Sequence, residues 1–321
     1  MTLDPCYREP TSSSRSLRLR CWRRRSDMTN KNEAEVSTYL DWSTKGRTAI
    51  WRYLLGTFLM LLIFLFLSSF AILPLAILAP DYKESLPLSL TGTLLTFVIS
   101  FLSIPALVKL LHCRPSWSVA LPRLRFEGWN FFTAIWVYLL VGAGSTLLLA
   151  VVGVMPIETN PGFSLATLWP VALIGLVGIL IQAGSEEMLF RGYLTQFVRR
   201  FTANPYVFIG IPALLFGLPH IANISQLGGG LVVVVPYAIS GALYGWVAYR
   251  TGSLWMGLGL HFMNNYSSVL LVSTAGDVLP SAAPFQVGLP SLATGTGVIA
   301  AQSLAMAVIL HILLKRREAR V

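Results

Sequence analysis

The sequence predicts an all-α polytopic membrane protein with eight transmembrane helices, and three observations predict it. Of 321 residues, 55% are hydrophobic and only 12% charged, against about 25% charged in ordinary soluble domains. Several uncharged runs exceed the ~20 residues that a helix needs to cross a bilayer. The basic residues gather beside the ends of those runs, as the positive-inside rule requires. A mean hydropathy of +0.66 and this composition exclude a water-soluble enzyme, a disordered chain and a small disulfide scaffold. Net charge is +10, but its placement in tails and short loops speaks for membrane orientation and against a nucleic-acid partner. Three widely spaced cysteines offer neither a disulfide framework nor a CxxC metal pair.

Residues 1–48 read as a basic, disordered cytosolic tail, with a Ser/Arg stretch over 11–25 and no apolar core of signal-peptide length. Met28 opens a segment that resembles an ordinary bacterial start, which leaves residues 1–27 as an extension or a targeting segment. The membrane domain then occupies 49–321. Its apolar runs predict helices at about 51–79, 87–111, 129–155, 167–198, 206–221, 231–249, 254–275 and 293–314. The fourth is long enough to project beyond the hydrocarbon layer. The fifth is short and carries Pro212 and Pro219, which a membrane tolerates where neighbouring helices or a wet cavity satisfy the freed backbone groups; it is expected to be shielded from lipid. Gly241 and Gly245 give the sixth a GxxxG spacing, read as internal packing. No fixed-period repeat is present.

Of 24 Lys and Arg, 22 fall on one side of this arrangement. Eleven precede or include Arg52; Lys109, Arg114, Arg123 and Arg125 follow helix two; Arg199, Arg200 and Arg250 lie in later same-side connections; Lys315, Arg316, Arg317 and Arg320 close the chain. Lys83 faces the other side and Arg191 lies within a helix. Both termini are expected in the cytosol, with the protein in a bacterial plasma membrane.

Ionisable groups inside membrane helices are costly, so each is a functional candidate. In GSEEMLFRGY, Glu187 and Arg191 are four apart and share a face, whereas Glu186 points about 100° away. Arg191 can neutralise Glu187 and leave Glu186 without a cation, as a general base whose proton affinity burial raises. One structural ion network of all three is the alternative. Phe216 and His220 are four apart on helix five, where His220 serves either packing or chemistry. His261 and Asn265, four apart on helix seven, present an imidazole and an amide that suit an oxyanion hole or an interhelical clasp. Counted from the cytosolic markers Arg199, Pro205 and Arg250 at 1.5 Å per residue, Glu186, His220, His261 and Asn265 all lie about 17–23 Å deep, so helices four, five and seven can meet at one polar site. Gln182, a turn before Glu186, is read as packing or cavity lining. His112 and His311 are read as interfacial anchors.

In this order and on these helices, EExxxR (Glu186, Glu187, Arg191), FxxxH (Phe216, His220) and HxxxN (His261, Asn265) resemble the CPBP family of intramembrane proteases, also called Abi or type II CAAX proteases. The resemblance covers about 165–270. It implies hydrolysis of a peptide bond in a membrane-associated protein, with Glu186 and His220 activating water, His261 and Asn265 holding the oxyanion, and Glu187 and Arg191 in support. It also allows a non-proteolytic scaffold of the same fold. A transporter is disfavoured because no inverted repeat is seen. No cofactor is expected. Zinc on Glu186, His220 and His261 is the lesser alternative, because no HExxH spacing occurs and no carboxylate is evidently placed to orient either histidine. The sequence names neither the substrate nor the oligomeric state.

The topology is testable at Cys113, beside helix two. A membrane-impermeant thiol reagent should fail to label it in intact cells and should label it in inverted vesicles; the reverse pattern would overturn the orientation.

Overall fold

The computed structural model describes residues 36–223, 230–274, 278–288 and 291–320, and Ser37 onward forms one unit. Most of the expected tail, residues 1–35, lies outside the described residues. Each apolar run is a helix: α1 (Ile50–Leu78), α2 (Leu86–His112), α3 (Gly128–Val151), α4 (Leu165–Arg199), α5 (Pro205–Ile221) and α6 (Leu231–Thr251), then α7 (Trp255–Leu270) and α8 (Leu292–Glu318). Six are long and apolar enough to cross a membrane, α5 is a shorter apolar helix, and the chain is an integral polytopic membrane protein. The expected eight spans therefore reduce to six long helices and a shorter one. α7 falls outside that set because it has 16 residues and carries His261, Asn264, Asn265 and Ser267.

Local chemistry sets the ends. Asn204 caps α5 by accepting from the Tyr206 amide at 3.0 Å, with Pro205 at the first helical position. Ser291 caps α8 through the Thr294 amide at 3.1 Å. α3 and α7 both stop short of their expected limits of 155 and 275, and the following residues become strands. β1 (Ile157–Thr159), β2 (Val272–Thr274) and β3 (Phe285–Val287) form a sheet in the order β1-β3-β2. β1 and β3 are antiparallel, with Glu158 opposite Gln286; β2 and β3 are parallel, with Ser273 opposite Gln286. The Val-Ser-Thr and Phe-Gln-Val segments are β-rich and too short to announce themselves beside helical runs.

α7 packs on α3, α4 and α6, while α5 packs on α6 and α4 on α2. α7 is thus central. α1 lies at the periphery, with Leu54, Phe58 and Phe66 exposed as an apolar surface of the kind that faces lipid. α5 has two faces: Pro212 and Phe216 are buried, whereas Leu214 and Leu218 are exposed, so shielding holds for one face alone. Gly241 and Gly245 face Ala213 and Ile209 of α5, in keeping with packing inside the chain.

The tail boundary also moves. Residues Tyr39–Thr44 form a 3-10 turn in which Tyr39 and Trp42 are buried. Arg114, itself buried, donates to the Trp42 carbonyl and, at 3.0 Å, to Gln196 Oε1 on α4. Gln196 in turn donates to the carbonyls of Tyr39 at 2.9 Å and Ser118 at 2.7 Å. His112 is fully buried, not interfacial: Nδ1 contacts the Arg47 carbonyl at 2.8 Å and Nε2 the Tyr193 hydroxyl at 2.9 Å. The physical reason is that the segment before α1 folds over the end of α2. Arg114→Ala should cost about 1.5–3 kcal/mol, the loss of hydrogen bonds from a charged donor, read as a lower melting temperature in detergent. An unchanged melting temperature would show that Arg114 does not hold this turn.

Candidate active site

α4 departs from α-helical spacing at the motif itself. Glu187–Leu194 is a π-helical stretch, and the Thr195 hydroxyl reaches back to the Phe190 carbonyl at 3.0 Å. Such widened turns often occur at functional sites because they re-aim side chains that a regular helix would bury elsewhere. Here Glu186, Glu187 and Arg191 are all buried. Arg191 Nη1 lies 3.0 Å from Glu187 Oε1, and both side chains are 1% exposed, as the four-residue spacing predicts. Arg191 also meets Phe216 of α5, its guanidinium 4.0 Å from the ring centroid, and Tyr244 of α6 at 5.2 Å.

His261 ties the two glutamates together. Its Nδ1 lies 2.8 Å from Glu187 Oε1 and its Nε2 lies 3.3 Å from Glu186 Oε2. Glu186 is therefore not left alone, since an imidazole takes the place of the missing guanidinium. Nδ1 makes a hydrogen bond to Glu187, while Nε2 and Glu186 face one another as an ion-pair contact. Pairing of this kind is what an apolar bundle demands of buried ionisable groups.

Two glycines give the pieces room. A Cβ on Gly257, one turn before His261, would lie 3.1 Å from Glu187 Oε2 and 3.1 Å from the Tyr244 carbonyl; one on Gly241 would lie 2.9 Å from Arg191 Nη2.

The four residues expected to meet, Glu186, His220, His261 and Asn265, line one cavity of about 600 Å³. They are engaged differently from one another. Asn265 Nδ2 donates to Gln182 Oε1 at 2.8 Å and its own Oδ1 accepts from Asn264 at 2.8 Å. Asn264 accepts in turn from the Tyr138 hydroxyl at 2.9 Å. Asn265 and His261 thus share the cavity wall without sharing a partner. His220 sits in the 3-10 end of α5 (Leu218–Asn223), with Nδ1 2.9 Å from the Phe216 carbonyl. A carbonyl can only accept, so Nδ1 carries the proton and Nε2 is the basic nitrogen of the neutral ring.

Sequence reasoning passed over Tyr237, Tyr244 and Asn264. Tyr237 stacks on His220 with centroids 3.7 Å apart, and Tyr244 on His261 at 5.2 Å. The available signal was two tyrosines seven residues apart on α6, which places them on one face.

The expectation that neither histidine has an orienting carboxylate is corrected, because Glu187 orients His261 through Nδ1. Nε2 of His261 faces Glu186, and among the described residues no group of three or more His, Cys, Asp or Glu side chains is placed to hold a metal ion.

What fold and site define together is a polytopic membrane protein with a buried glutamate–histidine cluster opening on an internal cavity. Residues 167–267, from α4 to most of α7, match the family model described as Rce1-like type II CAAX prenyl endopeptidase, and this stretch is a membrane protease domain of that family, CPBP. A curated relative from Bacillus subtilis (strain 168), the uncharacterised protein YyaK, is 26% identical over 263 residues, which cover 78% of this chain and 85% of the relative. No solved structure matches.

Arg191, the partner of Glu187, and Glu186 should respond differently to substitution. Arg191→Ala leaves Glu187 buried with less compensation, at a cost of about 3–5 kcal/mol softened by the membrane reference state. Glu186→Gln keeps a hydrogen-bonding side chain of the same shape. Thermal melts in detergent should show a clear loss for the first and little for the second; equal, undiminished stability would remove the support role of Arg191.

Proposed function

We propose that this chain is an intramembrane endopeptidase that hydrolyses a peptide bond of a membrane-associated protein with water activated by Glu186. The observation that carries the reading is the placement of Glu186 on the cavity wall, 3.3 Å from His261, whose other nitrogen is held by the Glu187–Arg191 pair. In this reading all eight helices lie within the membrane domain 49–321, which sits in a plasma membrane with both termini in the cytosol.

Charge accounting supports this assignment. As water attacks the carbonyl carbon, an O–C bond forms and the water proton passes to Glu186, with the basic Nε2 of His220 assisting. The negative charge leaves Glu186 and appears on the carbonyl oxygen. In this reading His261, held at Nδ1 by Glu187, carries a proton on Nε2 as well and exchanges Glu186 for the oxyanion. Asn265 spends one amide hydrogen on Gln182 and has a second to offer the oxyanion. Collapse breaks the C–N bond, and Glu186 returns its proton to the leaving amine. No cofactor enters this sequence.

Comparing the membrane proteomes of cells carrying wild type and Glu186→Gln tests the reading: one peptide bond should be cut in the first alone. Loss of the base should lower the rate by at least about 10² to 10⁴, and Asn265→Ala by about 10² to 10³. A Glu186→Gln chain that sustains every phenotype of the wild type would point to a non-proteolytic scaffold. Activity should survive exhaustive chelation; loss restored by stoichiometric zinc would make His220 and His261 ligands.

A further inference from the structure

The two histidines of the site share an aromatic arrangement that the hydrogen bonds alone do not explain. Tyr237 lies on His220 at 3.7 Å and 23°, and Tyr244 on His261 at 5.2 Å and 21°. Between them stands Phe216, edge-on to His220 at 5.0 Å and 62° and to His261 at 5.7 Å and 82°. The order Tyr237, His220, Phe216, His261, Tyr244 is a chain of five rings that begins and ends on α6. The two tyrosines are seven residues apart, two helical turns and about 10.5 Å along the axis, on one face.

A bond at Nδ1 fixes one atom of an imidazole and leaves the ring free to swing about that bond. For His220 the bond is to its own helix's carbonyl at 2.9 Å, so the direction of Nε2 is set by something else. A ring face close to parallel supplies that second restraint. At His261, which faces two carboxylates, the Tyr244 face supplies the same restraint.

We infer that Tyr237 and Tyr244 are positioning residues, which fix the planes of His220 and His261 through their ring faces, with Phe216 as the spacer between the two histidines. α6, which brings neither the carboxylates nor the histidines, is then the ruler that sets their separation. The consequence for rate rests on the proteolytic reading; the stacking itself does not.

The test therefore has two arms. The chain has four histidines, so ring-proton resonances of histidine-labelled protein in detergent can be assigned by single replacement. Protons over a ring face are shielded. Tyr237→Leu should move the His220 signals downfield and Tyr244→Leu those of His261, Phe216→Leu, which removes an edge-on ring, should shift both, and Tyr237→Phe and Tyr244→Phe should leave them in place. If a leucine variant does not fold, methionine, unbranched and closer in length, replaces it. In the kinetic arm, a synthetic peptide spanning the bond whose cutting depends on Glu186 is the substrate. The leucine variants should lower kcat about tenfold to a hundredfold, as for a small misplacement of a reacting group, with KM little changed, and the phenylalanine variants should restore it. Signals unmoved by leucine, or full activity in the leucine variants, would overturn the inference. So would phenylalanine variants as impaired as leucine ones, since the hydroxyls would then be acting. A wild type that cuts nothing defeats the proteolytic reading and leaves the resonances to decide the stacking.

Discussion

The structure depends on one constraint, that charge buried among apolar helices has to sum to zero within reach of a hydrogen bond. Arg191 is 1% exposed and so is Glu187, and they pair at 3.0 Å; removing either leaves a buried charge with less compensation. Glu186 adds a second negative charge next in sequence, and no second arginine or lysine lies beside it on α4. His261, from a different helix, meets both carboxylates. Its position is thereby coupled to the packing of α7 against α4, and the packing to the charge.

Much of the surrounding architecture follows from making room for that contact. The π-helical stretch of α4 starts at Glu187 and ends beyond Arg191, so the widened turns fall on the residues that must face inward. Glycines at 241 and 257 sit where a Cβ would press on Arg191 and Glu187. Phe216 and Tyr244 cover the guanidinium with ring faces, a partner that carries no charge to compensate. α7, shortest of the central helices and rich in amides, lies where α3, α4 and α6 can all cover it. Leucines and phenylalanines are exposed on α1 at the periphery and on the outer faces of other helices, as at Leu173 of α4 and Leu214 of α5.

Polar contacts continue outward from the charged centre. Gln182, Asn265, Asn264 and Tyr138 form a ladder linking α4, α7 and α3. At the far end of α4, Tyr193 and Gln196 bind His112 and the turn that precedes α1. One long helix thus carries the site and the attachment of the N-terminal segment. A polar group inside an apolar bundle costs free energy unless paired, and the sharing of Gln196 among Arg114, Tyr39 and Ser118 shows how few side chains suffice.

The sequence by itself determined what depends on spacing within one helix. The Glu187–Arg191 pair, the common face of Phe216 and His220, and the meeting of helices four, five and seven at one cavity were legible because helical pitch and rise are nearly constant. So were the helices themselves, because uncharged length is a direct requirement of the bilayer. Contacts between helices were not legible. That His261 turns to the two glutamates while Asn265 turns to Gln182, that Tyr237 and Tyr244 lie on the histidines, and that His112 is buried under the chain before α1 all depend on crossing angles and on a local change from α to π spacing. Those are settled by close packing of whole helices, where a shift of one residue in register exchanges every partner. The three short strands belong to the same class: β1 gains its ladder partners from a segment more than a hundred positions away, β2 pairs with that same segment from close by, and no local pattern in 157–159 announces which segment will arrive.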